Sequence, residues 1–292
     1  MRFPPIPIRP LRHECLRENR LTVIATIITS HFTAHATDSF ITIRTDEGTY
    51  KVQEAQETKI VRVPAWRGAI SYWGLATHAP DWSTLRWLRE HAVSASGYAS
   101  AEDFVRTLAR GLTTVLRSRH FRNPLQGGIG MHFSAYEWVE GYWVPELFHI
   151  RNWENEAYSA VQKEIVVTRE TYGASQGTRD RSEADSDPAR RLVVHKALQE
   201  GLMFIFNNGD PLLFNPIASS VFSAMQEMRR RGHLRDPSDA RTHLALVRRP
   251  IEIVSRLLSD FAQKDMRVVG GKAHDLAIAP TGEVDSTTAD LA

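Results

Sequence analysis

Residues 21–74 constrain this chain more than any other stretch, because they supply strand after strand in short pieces. Residues 21–29 read Leu-Thr-Val-Ile-Ala-Thr-Ile-Ile-Thr. A β-branched, apolar run of that length favours a buried strand. Residues 31–39 alternate more and make its antiparallel partner, with Asp38 near the end. Residues 41–44 extend that partner, and Asp46-Glu-Gly48 is a turn signal. Two further short strands follow at 49–52 and 60–63. Pro64-Ala-Trp-Arg-Gly68 then turns the chain into 69–73, which closes on Gly74.

Helices come next. Asp81 or Ser83 can cap a segment running to about Val93, with Leu85 and Leu88 on its inner side. Ser100-Ala-Glu-Asp103 is a capping box in outline, with Asp in the place of Glu or Gln. It opens a helix whose apolar stripe is Phe104, Leu108, Leu112, Val115 and Leu116. Residues 127–136 and 142–150 return to a strand pattern around Glu140-Gly141. Trp138, Trp143 and Trp153 read as sheet-packing residues. Gly127-Gly-Ile-Gly130 reads as strand that permits close packing, and 165–168 as another strand.

Further helices are expected at 189–206, from Asn215-Pro216 onward, and at 250–264. The last strands fall near 268–279 and 282–284. Asn207-Asn-Gly-Asp-Pro211 is read as a helix-ending turn. Runs of strands alternating with runs of helices indicate α+β architecture rather than strict βαβ winding. A sandwich of two antiparallel sheets between helix layers fits that order.

Composition narrows the partners. A net charge of +2 on 292 residues gives no reason to expect nucleic acid or a membrane surface. No apolar run reaches the length of a membrane span. The single cysteine, Cys15, excludes an internal disulfide or a cysteine metal cluster and fits a reducing cytoplasm. His31, His35, His78, His91 and His132 supply no helical His-x-x-x-His pair, so no metal and no cofactor are expected. Neither a Gly-x-Ser-x-Gly elbow nor a phosphate-binding glycine loop is present.

One constellation stands out. Thr22 opens the first strand, and Asp38, in Thr37-Asp-Ser39, ends the second. Lys59, in Thr58-Lys-Ile-Val61, begins a later strand, and Gly74 closes the next. In order and context this stretch resembles the catalytic β-subunits of proteasomes and their bacterial relatives, which are N-terminal nucleophile (Ntn) hydrolases. The resemblance implies a four-layer αββα fold, with Thr22 as nucleophile, Asp38 and Lys59 as its supporting pair and Gly74 at the oxyanion hole. Ser175 and Asp265 are the weaker matches to the family's late serine and aspartate. On this reading residues 22–284 form one domain with a helical insertion at about 178–249. Residues 285–292 form a frayed tail.

The chemistry needs these groups. A threonine hydroxyl requires an adjacent base, and a free α-amine with a reference pKa of about 7.7–8.0 can serve. A nearby ammonium disfavours the charged amine, and an aspartate holds that ammonium in place. The expected reaction is hydrolysis of an amide, with a peptide as the leading substrate and a homo-oligomer as a possible assembly. The alternatives are a non-catalytic assembly or binding protein and a small-molecule amidase on the same fold.

The mechanism requires Thr22 to be a chain end. Residues 1–21, rich in proline and arginine, are therefore expected to be a disordered extension, a propeptide or a mis-assigned start. Leucine codons can initiate in bacteria, so a product starting at position 21 as Met-Thr would expose Thr22 after methionine removal.

Overall fold

The computed structural model describes residues 23–44, 50–54, 58–78, 82–121, 127–154, 160–170, 188–209, 214–234, 237–261 and 269–290. The strands in chain order are β1 Ile24–Ile28, β2 Thr33–Asp38, β3 Phe40–Arg44, β4 Tyr50–Glu54, β5 Ile60–Val63, β6 Gly68–Gly74, β7 Thr77–His78 and β8 Trp82–Ser83. They continue with β9 Ile129–Val139, β10 Tyr142–Trp153, β11 Val161–Arg169, β12 Phe204–Asn208, β13 Lys272–Ile278 and β14 Val284–Asp290. The helices are α1 Thr84–Val93, α2 Ala101–Arg117, α3 Pro188–Gln199, α4 Phe214–Arg230 and α5 Ala240–Phe261.

Two five-stranded sheets carry the fold. Their orders are β12-β1-β2-β13-β14 and β11-β10-β9-β6-β5, and every pairing within them is antiparallel. The period-two pattern of the first strands decides which side faces what. Val23, Ala25 and Ile27 with Ala34 and Ala36 join Leu244, Val247, Ile251 and Val254 of α5 and Phe214, Ala218 and Phe222 of α4 in one core. The alanines at those strand positions let α5 lie close on the sheet. On the second sheet, Ile70, Tyr72, Met131, Phe133, Phe148 and Ile150 pack against Leu85 and Leu88 of α1 and Phe104, Leu108 and Leu112 of α2. The order helix, sheet, sheet, helix is the expected αββα sandwich.

Local signals explain the helix starts. Ser83 caps α1 by accepting from the Arg86 N–H, and Ser100 caps α2 by accepting from the Asp103 N–H. The Glu140-Gly141 turn has positive φ at both residues, the conformation of a two-residue hairpin turn. Between the sheets, Gly128 and Gly130 leave room for tryptophan. A Cβ on Gly128 would fall 2.1 Å from the Trp153 ring, and one on Gly130 would fall 2.0 Å from the Trp73 ring. Both indoles pack with Ile24. Trp143 lies under the Arg67 guanidinium, 3.7 Å from ring centroid to Cζ. Trp138 is 60% exposed rather than sheet-packed.

Three expectations are corrected. The helix expected over 189–206 ends at Gln199, and β12 follows, paired with β1. Gly201, at φ +90°, ends the helix in a Schellman arrangement. Its N–H bonds to Leu198 O, and the Leu202 N–H bonds to Ala197 O. The segment at 178–249 expected as a helical insertion therefore contributes a sheet strand, and Asn207-Asn208 are strand residues rather than a helix stop. Second, the last helix begins ten residues earlier than Pro250, capped by Asp239, whose carboxylate accepts from the Thr242 N–H. Leu257 and Phe261, expected to face inward, are 39% and 83% exposed. Third, the expected frayed tail is a strand through Asp290. Asp275 Oδ1 fastens it by accepting from both the N–H and the hydroxyl of Thr287.

A cluster of alternating charges pins α3. Buried Glu146 bonds Arg191, which also reaches Glu137, 2.6 Å away, while Arg169 approaches Glu146 at 3.5 Å and Glu102 at 2.9 Å. Burial pushes the Glu146 carboxyl up, and the two guanidinium groups oppose that shift.

Candidate active site

The end of β2 places Asp38, and the turn before β5 places Lys59. Both are fully buried, at 0% and 1% exposure, with Lys59 Nζ 3.1 Å from Asp38 Oδ1. Lys59 Nζ also donates to the Phe40 carbonyl, so the ammonium bridges the end of β2 and the start of β3. The Val23 N–H donates to the same Asp38 Oδ1 at 3.2 Å. Three sequence-distant points, Val23, Asp38 and Lys59, therefore meet on one carboxylate oxygen.

Burial works against charge on both partners, raising the Asp38 pKa and lowering that of Lys59. Their mutual attraction, with backbone N–H groups of Val23 and Gly270 beside the carboxylate, works in the opposite direction.

A glycine turn braces this corner, and the sequence reading did not find it. Gly271 has φ +75°, and a Cβ there would fall 2.3 Å from Ser39 Oγ. The Lys272 N–H donates to Ser39 Oγ at 2.7 Å. The signal was present in the Gly270-Gly271 pair ahead of a strand, which marks a close backbone approach.

Gly74 ends β6 at φ +88°, and a Cβ on it would fall 2.4 Å from the Gly128 carbonyl. That contact alone requires glycine there. β6 runs beside the start of β5, since Ile60 pairs with Ser71 and the Tyr72 N–H bonds Lys59 O. Gly74 thus lies two residues along the strand from the one bonded to Lys59. Thr22, Ser175 and Asp265 lie outside the described residues. Among the described residues no group of histidine, cysteine, aspartate and glutamate side chains is arranged to hold a metal ion. No described helix is long and apolar enough to cross a membrane.

No protein-family model and no curated protein sequence matches the chain. A solved structure does. Anbu (ancestral beta-subunit) from Yersinia bercovieri superposes with a TM-score of 0.50 at 13% identity, covering 92% of this chain and 87% of that one. The fold is proteasome-like. At this identity the likeness speaks for the fold alone, the same αββα sandwich that the two sheets and five described helices build. Within this proteasome-like sandwich, Asp38 and Lys59 meet at the end of β2, the central strand of the first sheet, beside the strand that Val23 leads into.

Proposed function

We propose that the chain is an N-terminal threonine hydrolase that cleaves amide bonds, with peptides as its leading substrate class. The observation that carries this reading is the convergence of the Val23 N–H, Asp38 and Lys59 on one buried carboxylate. Thr22 is covalently joined to Val23, so this corner is where its hydroxyl and amine would act once Thr22 is a free end. The hydroxyl would attack the scissile carbonyl and pass its proton to the α-amine, which would then protonate the leaving amine. Lys59, held charged by Asp38, would keep the resting amine unprotonated. The Gly74 N–H is the candidate donor to the oxyanion.

The fold supports assembly into a homo-oligomer as part of the same reading. A second reading has one observation in its favour. Lys59 is also held by the Phe40 carbonyl and is almost fully buried, as a purely structural ion pair would be. That would suit a non-catalytic binding or assembly protein.

Activity separates the two. In a chain verified to begin at Thr22, Thr22→Ala should abolish hydrolysis of fluorogenic peptides and peptide amides. Thr22→Ser should retain a measurable fraction, because serine keeps the hydroxyl. Equal activity in the wild type and Thr22→Ala would refute the catalytic reading.

A further inference from the structure

The space between the two sheets holds polar side chains that the proposed chemistry does not use. His35 on β2 and His132 on β9 are both 0% exposed. One hydroxyl, Thr26 Oγ1 on β1, lies between them, 2.9 Å from His132 Nδ1 and 3.2 Å from His35 Nδ1. The Asn208 amide nitrogen faces His132 Nε2, so that nitrogen accepts and His132 Nδ1 donates to Thr26. Because Ser134 Oγ donates to Thr33 Oγ1, His35 Nδ1 is the accepting nitrogen of its ring, and it faces the hydroxyls of Ser71 at 2.9 Å and Thr26 at 3.2 Å. His35 Nε2 then donates to Ser134 Oγ at 2.7 Å, and Ser134 donates to Thr33 Oγ1 at 3.2 Å.

This directional chain runs Asn208–His132–Thr26–His35–Ser134–Thr33. It alternates between the first sheet, which supplies Asn208, Thr26, His35 and Thr33, and the second, which supplies His132 and Ser134. Each link therefore joins one sheet to the other or one strand to its neighbour. The direction of the chain assigns opposite tautomers to the two rings.

Among the described residues, the partners of the two rings in this chain are hydroxyls and an amide. Hydroxyls can turn to keep hydrogen bonds if a ring takes up a proton, but none can neutralise the charge. The titratable groups facing the chain do not help. His149 on β10 stands 4.9 Å from His132, ring to ring, and its Nε2 lies 3.2 Å from Glu170 Oε2. It opposes a charge on His132, as does His35. Tyr136, near Thr33, bonds the Ile278 carbonyl and is driven by burial further from ionisation. Burial accordingly holds His35 down to about 3 and His132 well below its ordinary value.

We propose that this chain is an acid-sensitive latch, holding the two sheets in register only while both imidazoles are neutral, so that proton uptake uncouples the sheets. The strands it ties are those that present the candidate site. His35 lies three residues before Asp38 on β2, and Ser71 lies three residues before Gly74 on β6. Opening the latch would thus loosen the site. The latch itself does not depend on the catalytic reading, and its test does not use activity.

The sign follows from linkage. A histidine whose folded pKa is depressed contributes stability that is complete above its unfolded pKa and is lost as pH falls below it. With an unfolded value of about 6.5, each imidazole lowers the folding equilibrium constant by about 30-fold between pH 8 and pH 5, and the two together by about 10^3-fold.

Urea unfolding of the full chain between pH 4.5 and 8 reads this directly. Between pH 8 and pH 5 the wild type should lose about 30-fold more in folding constant than His35→Asn, which keeps a polar group near Nδ1 without titrating and leaves every other titrating group in place. An unchanged slope in His35→Asn would overturn the latch. If that variant fails to fold, nitrogen-15 NMR of the wild-type rings decides instead. Two neutral rings of opposite tautomer that do not titrate until the protein unfolds are expected. A ring that titrates near 6.5 within the folded state would overturn the proposal.

Discussion

Replacing Lys59 with alanine should damage both activity and stability. Among the described residues, the fully buried Asp38 would keep only backbone N–H groups, those of Val23 and Gly270, beside its carboxylate. Breaking a buried pair from one side typically costs roughly 3–5 kcal/mol, because the surviving charge is uncompensated. The remaining carboxyl should answer by taking up a proton, so its part of the stability should recover as pH falls, against the loss that the two buried imidazoles impose below about pH 6.5. Hydrolysis should fall by roughly 10^2–10^4-fold, the usual contribution of a proton-transfer arrangement. The measurements are urea unfolding and peptide hydrolysis at pH 7.5. Lys59→Arg separates the two roles. It restores charge and much of the stability, but its wider, always-protonated head group cannot sit as an ammonium does and should leave activity low.

The second large effect is structural and lies beneath the same corner. Gly130→Ala would place a methyl 2.0 Å from the Trp73 ring, so the indole must move. Trp73 cannot shift freely, because it packs on Ile24 and stands edge-on to His132 at 5.8 Å. Overpacking of this kind costs about 1–3 kcal/mol or more, and the upper end is expected because a rigid ring and two sheets meet there. A double-mutant cycle with Trp73→Leu tests the cause. The smaller side chain should recover part of the loss, giving a coupling of about 1 kcal/mol or more. Additive losses would mean that the indole is not what excludes the methyl.

Much of this was legible in the order of residues, and the failures have identifiable physical sources. The opening strands were readable because both of their faces are buried in different surroundings, so β-branched and small residues crowd together. Asp38 and Lys59 were found through family resemblance, yet their burial and shared oxygen are consequences of a fold that brings β2 and β5 together.

β12 was missed because a short apolar run, Met203-Phe-Ile-Phe206, has no period that separates strand from buried helix. Gly201 was the available stop signal. β14 was missed because an exposed edge strand, Val-Asp-Ser-Thr-Thr-Ala-Asp, needs no hydrophobic alternation. Pro250 misled for a simple reason. Proline is favoured in a first helical turn, but here it sits inside α5, buried against the sheet.

The imidazoles show a different limit. His35 and His132 were weighed as metal ligands and set aside, and nothing in their spacing reveals that they share a hydroxyl across 106 residues between Thr26 and His132. Only the pairing of β1 with β2, and of β6 with β9, brings those side chains to one level of the sandwich.

Thr22, as a free chain end, is the proposed nucleophile. The most direct test is intact mass and peptide mapping of the native protein before and after treatment with a peptide β-lactone, a hydroxyl-directed electrophile. The expected result is a chain that begins at Thr22, gains the mass of one acyl group, and carries it on the N-terminal peptide. A native chain that still bears residues before Thr22, or a Thr22-terminated chain that takes no label, would contradict it.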